Sequence, residues 1–447
     1  MTWDWKALTE RIIKATANQD AGEAALAIVS GFFEVPADTK ARTKPADLAR
    51  IAMRSAAGKY ASLDRNARAY DGSPRTLWRY HRAMALPEFQ RELRHIWRVL
   101  FRVATDKYGF GRYGFDVLID EFQTHFFGYT RYDIDGREDD DARRPHPEDQ
   151  HLTEVGLVAG ASKDDKYSGK FHALTYQAMV VRCKRSGVVL PLDIVLVSTE
   201  HPLLVGDLRI ESRSRVAIIR HFTNILRGYR EVPRIIMFDR GYHANENYAE
   251  VDRYCKERHS RYMTPAPRQP GVVMANGTTY SGIRAFCEAA FSWAKALPNG
   301  ERYVIAERPV KNSPGTLRTL LVLYHPRKRR RSADLPEGAI EVSSDYWASP
   351  FCISDANPEP HIRWWAWIYT VRWCEENWFK SRSANYHDGR GHKVQRRMLI
   401  LMVGIICLAL YALLRIQVYP DLDIPAVSRY FNTADYTDGL LRRLEAG

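Results

Sequence analysis

The spacing of apolar residues divides the chain into a helical first part and a mixed α/β remainder. Up to about residue 105, apolar positions recur every three to four residues in segments such as AGEAALAIVSGFF and PADLARIAMRSAA, the spacing of amphipathic helices. From about residue 110 the chain has four β-rich segments, with an amphipathic helix from about Ile210 to Tyr229 before the last of them. These segments are GFDVLIDEF, KFHALTYQAMVVR, GVVLPLDIVLVS and RIIMFDRGY. The order strand, strand, strand, helix, strand predicts a mixed sheet layered with helices.

The helical part contains SLDRNARAYDGSPRTLWRYHRAM, which has the outline of a helix-turn-helix. A turn at Asp71-Gly72 precedes a second helix that opens at Ser73 and has proline at its first position. The second helix of such a motif enters the major groove of DNA, so Arg75 and Arg79 on its polar side are candidate DNA contacts. An ordinary pair of packed helices has the same pattern, and this alternative stays open.

The whole pattern predicts a chain of four parts. A helical part, which contains the helix-turn-helix outline, covers residues 1–108, an α/β part covers 109–259, a second β-rich block covers 260–357, and two helices and a tail cover 358–447. The second β-rich block contains a basic run from Arg327 to Arg331, which is either a solvated loop or a phosphate-binding rim.

An apolar run near the end of the chain, MLILMVGIICLALYALL at residues 398–414, has two interpretations. It falls just short of the roughly 20 residues that a membrane-spanning helix needs, and arginines flank both of its ends. We therefore interpret it as a buried core helix, with a membrane anchor as the alternative. The N-terminal sequence MTWDWKALTE is charged and has no apolar segment, so we expect no secretory signal and a cytoplasmic location.

The composition favours a polyanionic partner. The formal net charge is +13, and nucleic acid is the commonest partner of such proteins, although ribosomes and anionic membranes select the same composition. No GxGxxG or GxxxxGKS motif occurs, so no nucleotide cofactor or small-molecule substrate is expected. The six cysteines are far apart and form no CxxC pair, which favours buried thiols over disulfides or a zinc site.

Two aspartates follow apolar β-runs and are candidates for metal-dependent chemistry. Asp120 ends the run VLI, and Asp239 ends the run IIMF. Carboxylates placed where neighbouring strands leave the core can share divalent ions, and Mg²⁺ prefers carboxylate and water oxygens. Asp116 and Asp193 also lie on β-runs and are rival candidates. We rank Asp193 below Asp120 because a mid-strand side chain points to the flank of the sheet.

A third acidic candidate lies in IYTVRWCEENWFKSRS. At 100° per residue, Tyr369, Arg372, Glu376 and Lys380 share one face of a helix. Glu376 would then complete a metal site, while Arg372 and Lys380 contact phosphates beside it. A surface helix with ion pairs four residues apart is the alternative.

These motifs in this order (ID at Asp120, MFDRGY at Asp239 and YxxRWxxEN at Glu376) resemble the DDE transposases of bacterial and archaeal insertion sequences. The similarity is to the branch that has a β-rich insertion before the catalytic glutamate and the signature Tyr-x-x-Arg-x-x-x-Glu. It implies that residues 260–357 are this insertion, that residues 358–447 complete the catalytic domain begun at 109–259, and that residues 1–108 are a DNA-binding domain. It covers about residues 110–415 and implies a ribonuclease H-like fold. Many members have lysine seven residues after the glutamate, where this chain has Ser383. Lys380 and Arg382 are the nearest substitutes.

The resemblance implies metal-dependent cleavage at transposon ends followed by strand transfer into target DNA, which is cut-and-paste transposition. Asp120, Asp239 and Glu376 would hold two Mg²⁺ ions, for which Mn²⁺ can substitute. The expected partners are double-stranded DNA, at both the transposon ends and the target, and a second copy of the chain bound to that DNA. The residues expected to contact DNA near the site are Tyr369, Arg372, Lys380 and Arg240.

Two alternative hypotheses about the function stay open. One is a catalytically silent, domesticated DNA-binding protein derived from a transposase. The other is a membrane-associated protein anchored by residues 398–414. A nuclease of the same fold that does not transpose DNA is a hypothesis close to the transposase. Dependence of cleavage on specific DNA ends would distinguish a transposase from such a nuclease.

Overall fold

The fold is described from a computed structural model of the chain. The residues described are 4–17, 20–36, 44–57, 74–81, 86–112, 114–125, 158–161, 170–184, 186–197, 203–205, 208–210, 215–239, 242, 245–266, 271–310, 316–327, 339–371 and 394–418. The described α-helices are α1 (Trp5–Ala17), α2 (Ala21–Ser30), α3 (Pro45–Ala57), α4 (Pro74–Tyr80), α5 (Leu86–Tyr108), α6 (Arg215–Arg227), α7 (Asn245–Arg258), α8 (Ile283–Ala290), α9 (Ile362–Val371) and α10 (Val394–Val418).

The strands begin where the helical part ends. The described strands are β1 (Phe115–His125), β2 (Val158–Ala161), β3 (Lys170–Cys183), β4 (Val189–Val197), β5 (Leu203–Val205), β6 (Leu208–Ile210), β7 (Ile235–Phe238), β8 (Arg261–Pro265), β9 (Val273–Ala275), β10 (Thr278–Tyr280), β11 (Lys295–Ala296), β12 (Arg302–Pro309), β13 (Leu317–Pro326), β14 (Ile340–Glu341) and β15 (Tyr346–Ile353). The four β-rich segments and the helix predicted from the sequence are confirmed as β1, β3, β4, β7 and α6.

The chain divides into two compact units. Unit 1 comprises Met1–Gly114, Glu121–Ser214 and Cys374–Gly447, and unit 2 comprises Phe115–Asp120 and Arg215–Trp373. Strand β1 therefore contributes its first half to unit 2 and its second half to unit 1. The strands of the predicted insertion lie in unit 2 together with β7. The division into four parts stays a prediction.

Unit 1 is built around the apolar helix α10. The segment Met398–Ile416 is long and apolar enough to cross a membrane, but 94% of its most apolar window is buried. It packs against α2, α3, α5 and β4 of the same unit. This burial favours the interpretation of the segment as a core helix. Burial of its leucine, isoleucine and valine side chains contributes to the hydrophobic stabilisation of this unit.

The sheet strands of unit 1 are held by antiparallel pairing and by one buried ion pair. Strand β3 pairs antiparallel with β2 on one side, and it also pairs with β4. Asp193 of β4 is only 1% exposed, and Arg94 of α5 donates to its carboxylate from Nε at 3.2 Å. At the end of β1, Gln177 Nε2 donates to Glu121, and the rings of Phe122 and Tyr176 stack at 5.0 Å.

Unit 2 is a mixed sheet whose strand order is β10-β9-β12-β13-β15-β8-β7-β1. Strands β1, β7 and β8 are parallel, whereas β8, β15, β13 and β12 pair antiparallel. Residues in register project to the same side of a sheet. Because Asp116 pairs with Ile235 and Met237 pairs with Met263, these four residues define one side, here called the aspartate face.

The opposite side, here called the tyrosine face, carries Ile236, Phe238 and Tyr262 and is covered by helices. Helix α7 contributes Tyr248, whose ring lies 5.8 Å from that of Phe238 and 6.1 Å from that of Tyr262. Farther along the sheet, Tyr324 Oη donates to the carbonyl of Cys287 in α8 at 3.0 Å. The described cysteines are free and buried, in agreement with the sequence interpretation.

Helices α6 and α7 are joined by a charged network centred on Glu250, which is 3% exposed. Arg227 Nη1 and Thr223 Oγ1 each donate to Glu250 Oε1 at 2.9 Å. Burial raises the pKa of Glu250, but these hydrogen bonds and the charge of Arg227 outweigh burial and hold the pKa below its ordinary value. The network therefore stabilises the folded state most when Glu250 is ionised.

We predict that Glu250→Gln lowers the free energy of unfolding by about 1–2 kcal/mol at pH 7. A carboxyl group with a lowered folded-state pKa contributes stability above its unfolded pKa of about 4.3, and this contribution is lost as the pH falls through the folded pKa. Urea unfolding at pH 7 and pH 3 should therefore show a difference that shrinks on acidification. Glu288→Gln, which removes an exposed pair with Arg284, is the control and should change stability by less than about 0.5 kcal/mol. A pH-independent difference would contradict the prediction.

Candidate active site

Asp120 and Asp239 lie next to each other on adjacent parallel strands of unit 2. The last register pair of these strands is Ile119 with Phe238, and the backbone N–H of Asp239 donates to the carbonyl of Ile119 at 3.3 Å. Asp120 follows Ile119 and Asp239 follows Phe238, so both continue the alternation that places them on the aspartate face. Strands lie about 4.8 Å apart, which brings both carboxylates within reach of one divalent ion. Both residues are half-buried.

One part of the sequence interpretation was wrong: Asp120 does not end its strand. Strand β1 continues to His125, whereas β7 stops at Phe238 immediately before Asp239. Beyond Asp120, β1 no longer has β7 beside it, and Glu121 and Phe122 contact β3 instead. On β1, the change from apolar residues to Asp120 therefore occurs where the neighbouring strand β7 ends. It does not mark the end of β1 itself.

Tyr242 is anchored beside Asp239. The backbone N–H of Tyr242 donates to the carbonyl of Asp239 at 3.2 Å, and its ring meets Phe238 edge-on at 6.4 Å. The side chain of Asn247 donates to the carbonyl of Tyr242 at 3.2 Å. Tyr242 is 1% exposed, so the last residue of MFDRGY is a buried contact of Asp239 and Phe238.

The rival carboxylates occupy structural ion pairs. Asp116 is fully buried, and Arg234 Nη2 donates to both of its carboxylate oxygens, at 2.7 and 2.9 Å. Asp193 is paired with Arg94 in unit 1. A buried carboxylate neutralised by a guanidinium is a poor ligand for a solvated metal ion, because binding the ion would leave the arginine unpaired. Asp116 and Asp193 are therefore poor candidates for metal ligands.

Helix α9 lies beside the aspartate face at the amino ends of β7 and β8. Arg261, the register partner of Ile235, lies over the ring of Trp364 with Cζ 5.4 Å from the ring centroid. The guanidinium that holds Asp116, that of Arg234, lies 6.0 Å from the ring centroid of Trp367. Two cation–π contacts thus join α9 to the sheet. The chain that leaves α9 leads to Glu376.

The remaining predicted contacts are only partly within the described residues. Arg79 is exposed on α4, and α4 begins at Pro74, as the sequence predicted. Arg327 pairs with Glu341 at 2.9 Å, and the rest of its basic run lies outside the described residues. Arg75 and Tyr369 lie in α4 and α9, but their side chains are not described. Four predicted site residues lie outside the described residues: Arg240, Arg372, Glu376 and Lys380. Among the residues that are described, no three His, Cys, Asp or Glu side chains form a metal-binding group.

The ion pair of Asp116 predicts a loss of stability when this carboxylate is neutralised. Asp116→Asn should lower the free energy of unfolding by about 2 kcal/mol, because a charged hydrogen bond to Arg234 is lost. Urea unfolding in the presence of a chelator measures this difference, with Glu288→Gln as the control that should change stability by less than about 0.5 kcal/mol. Unchanged stability of Asp116→Asn would contradict a structural role for the pair.

Similarity to known proteins was found among solved structures. No protein-family model and no curated protein sequence matches the chain. Among solved structures, the chain is similar to one described as the cryo-EM structure of the piggyBac transposase synaptic complex with hairpin DNA. The TM-score is 0.45 and the sequence identity is 10%, over 98% of this chain and 77% of that chain.

Proposed function

We propose that this protein is a DDE-type DNA transposase that cleaves transposon ends and joins them to target DNA. The observation that carries the proposal is that Asp120 and Asp239 lie side by side. They directly follow Ile119 and Phe238, the last register pair of the parallel strands β1 and β7. The two carboxylates lie on one side of the sheet, and the chain that leads to the third acid starts from a helix on that side. This arrangement is the framework of a two-metal phosphoryl-transfer site.

The start of the chain that leads to Glu376 lies near β1. Trp367 of α9 is joined through Arg234 to Asp116, four residues before Asp120 on β1. Glu376 follows nine residues after Trp367 in the sequence.

The order of the long elements also supports a ribonuclease H-like domain. Strands β1, β3 and β4 are followed by α6 and then by β7, which is the strand, strand, strand, helix, strand order implied by the family resemblance. The strands β9 to β15 come between β8 and α9, where the insertion-sequence branch has its β-rich insertion. We propose that the helices before β1 form the DNA-end-binding domain, with Arg75 and Arg79 as contacts.

The donor set fits Mg²⁺, since carboxylate oxygens are the ligands this ion prefers, and Mn²⁺ accepts the same ligands. We propose that Asp120 and Asp239 hold the ions between them and that Glu376 completes the coordination. When bound, two such ions activate a water molecule or 3′-hydroxyl and stabilise the leaving 3′-oxygen. Arg372, Lys380 and Arg240 then position the DNA phosphates through charge-assisted hydrogen bonds.

The partners follow from the chemistry and from the charge. A chain with a net charge of +13 suits double-stranded DNA, whose phosphates dominate affinity. Because two transposon ends must be cut in one reaction, we propose that the protein acts as a homodimer assembled on DNA, in the cytoplasm and on the nucleoid.

The decisive experiment is Mg²⁺- or Mn²⁺-dependent cleavage of DNA that carries the sequences flanking the gene. Wild type should cut at the element boundary. Glu376→Gln and Asp239→Asn should bind the same DNA but lower the cleavage rate by at least about 10³-fold, because loss of a metal ligand removes several kcal/mol of transition-state stabilisation. Asp252→Asn, which removes a half-buried carboxylate paired with Lys256 on α7, is the matched control and should cut like wild type.

The other outcomes separate the alternatives. Binding of the ends without cleavage by wild type would indicate a domesticated DNA-binding protein. Cleavage of any DNA, independent of the ends, would indicate a nuclease of the same fold. Failure of the wild-type chain to remain in solution without detergent would favour the membrane-anchored alternative. Undiminished cleavage by Glu376→Gln would show that the assigned triad is wrong.

A further inference from the structure

Two arginines of the β-rich region, Arg308 and Arg318, lie directly opposite each other across an antiparallel strand pair. Arg308 of β12 and Arg318 of β13 are register partners, so their side chains leave the sheet on the same side. Thr319, the residue after Arg318, pairs with Ile353, which pairs with Met263 of the aspartate face. The two arginines therefore project from the tyrosine face, on the other side of the sheet from Asp120 and Asp239.

Within the described part of the chain, no carboxylate lies within ion-pair distance of either guanidinium. Nη1 of Arg308 is buried and has no hydrogen-bond partner among those residues. Both side chains are half-buried, so water screens their repulsion only in part. Arginine cannot relieve that repulsion by losing its proton. Like charges directly opposite on neighbouring strands destabilise a sheet unless an anion lies between them.

The surroundings hold both guanidiniums in place. Arg318 Cζ lies 3.8 Å from the ring centroid of Tyr248, a close cation–π contact. Gly271 lies against Arg308 so closely that a Cβ at this position would come within 2.6 Å of Nη2. Cys352 lies nearby and is fully buried, and burial raises the pKa of its thiol although both arginines act to lower it. A neutral thiol and a neutral phenol leave the positive charge of the pair uncompensated.

We propose that Arg308 and Arg318 form a binding site for a phosphate group. Two fixed guanidiniums supply several donors in the planar geometry that suits phosphate oxygens, and the anion would neutralise the opposed charges. If the proposed transposase function holds, the phosphate belongs to the backbone of bound DNA, at a point separate from the cleavage site. Free orthophosphate has the same chemistry and is the other source.

The first measurement is thermal unfolding of the full chain with and without orthophosphate, in the absence of divalent metal. Phosphate at 10 times its dissociation constant should raise the melting temperature of wild type by about 1.5 °C. Arg308→Gln and Arg318→Gln should abolish this shift. Each should also melt no lower than wild type in phosphate-free buffer, because it removes a like-charge repulsion. Arg284→Gln, which removes an exposed arginine of α8 in the same unit, should respond to phosphate like wild type.

A variant that keeps both charges separates the site from a general effect of net charge. Gly271→Ala would push the Arg308 guanidinium aside without changing the net charge, and it should reduce the phosphate-induced shift. The proposal is overturned if phosphate stabilises Arg308→Gln and Arg318→Gln as much as wild type, or if it does not stabilise wild type at all. Neither result depends on cleavage activity, so it is distinguishable from failure of the proposed function.

The source of the phosphate is identified by the salt dependence of DNA binding. If a DNA phosphate occupies the site, the slope of log K against log salt concentration should fall by about 0.9 in Arg318→Gln, the value for one phosphate contact. Arg284→Gln should keep the wild-type slope. An unchanged slope in Arg318→Gln, together with loss of the orthophosphate response, would overturn the DNA assignment and identify a site for free phosphate.

Discussion

The parallel register between β1 and β7 is the constraint on which the candidate site depends. Backbone hydrogen bonds at its two ends, from Arg234 N–H to Phe115 at 2.8 Å and from Asp239 N–H to Ile119 at 3.3 Å, fix this register. A slip of one residue would turn one aspartate to the opposite side of the sheet, since side chains alternate along a strand. The same register brings Arg234 to Asp116 and, through Trp367, brings α9 to the sheet. The pairing of β1 with β7 thus determines the positions of Asp120 and Asp239. It also positions α9, from which the chain leads to the third predicted carboxylate, Glu376.

Charged groups in this protein are best understood by their partners. The buried carboxylates Asp116, Asp193 and Glu250 each lie against an arginine, and these pairs join strands and helices that are distant in sequence. Removing one partner of a buried pair leaves a charge in a poorly solvated place, so these residues are structural. Arg308 and Arg318 depart from this pattern, since like charges face each other. That departure marks the tyrosine face as a place where a ligand completes the electrostatics.

The apolar helix α10 illustrates how burial resolves an ambiguous composition. The helix is long and apolar enough to span a membrane. Yet 94% of its most apolar stretch is buried, and the helix packs against other elements of unit 1. A core helix surrounded on all sides has no need of a polar face, so its sequence is apolar all round. A membrane-spanning helix has the same sequence pattern. Only the packing of α10 against α2, α3, α5 and β4 distinguishes a core helix from a membrane-spanning one.

Periodicity in the sequence determined the elements around the site. The strands β1, β3, β4 and β7, the helix α6 and the start of α4 at Pro74 all follow from local spacing, because apolar alternation and helix-capping residues act over a few positions. The motifs at Asp120 and Asp239 also singled out the two carboxylates. The roles of Glu376, Arg372, Lys380 and Arg240 stay predictions, since these residues lie outside the described ranges.

Only the tertiary structure decided which acids are paired and which strands are neighbours. Nothing local to β1 shows that Asp116 is paired with Arg234, 118 residues later, or that Asp120 lies within a longer strand at the point where β7 ends. The opposed arginines Arg308 and Arg318 are likewise invisible in the sequence, because they become neighbours only through the register of β12 and β13. Ion pairs and cross-strand contacts depend on distance in space. A sequence pattern reports distance along the chain, and the two coincide only within a helix, a strand or a turn.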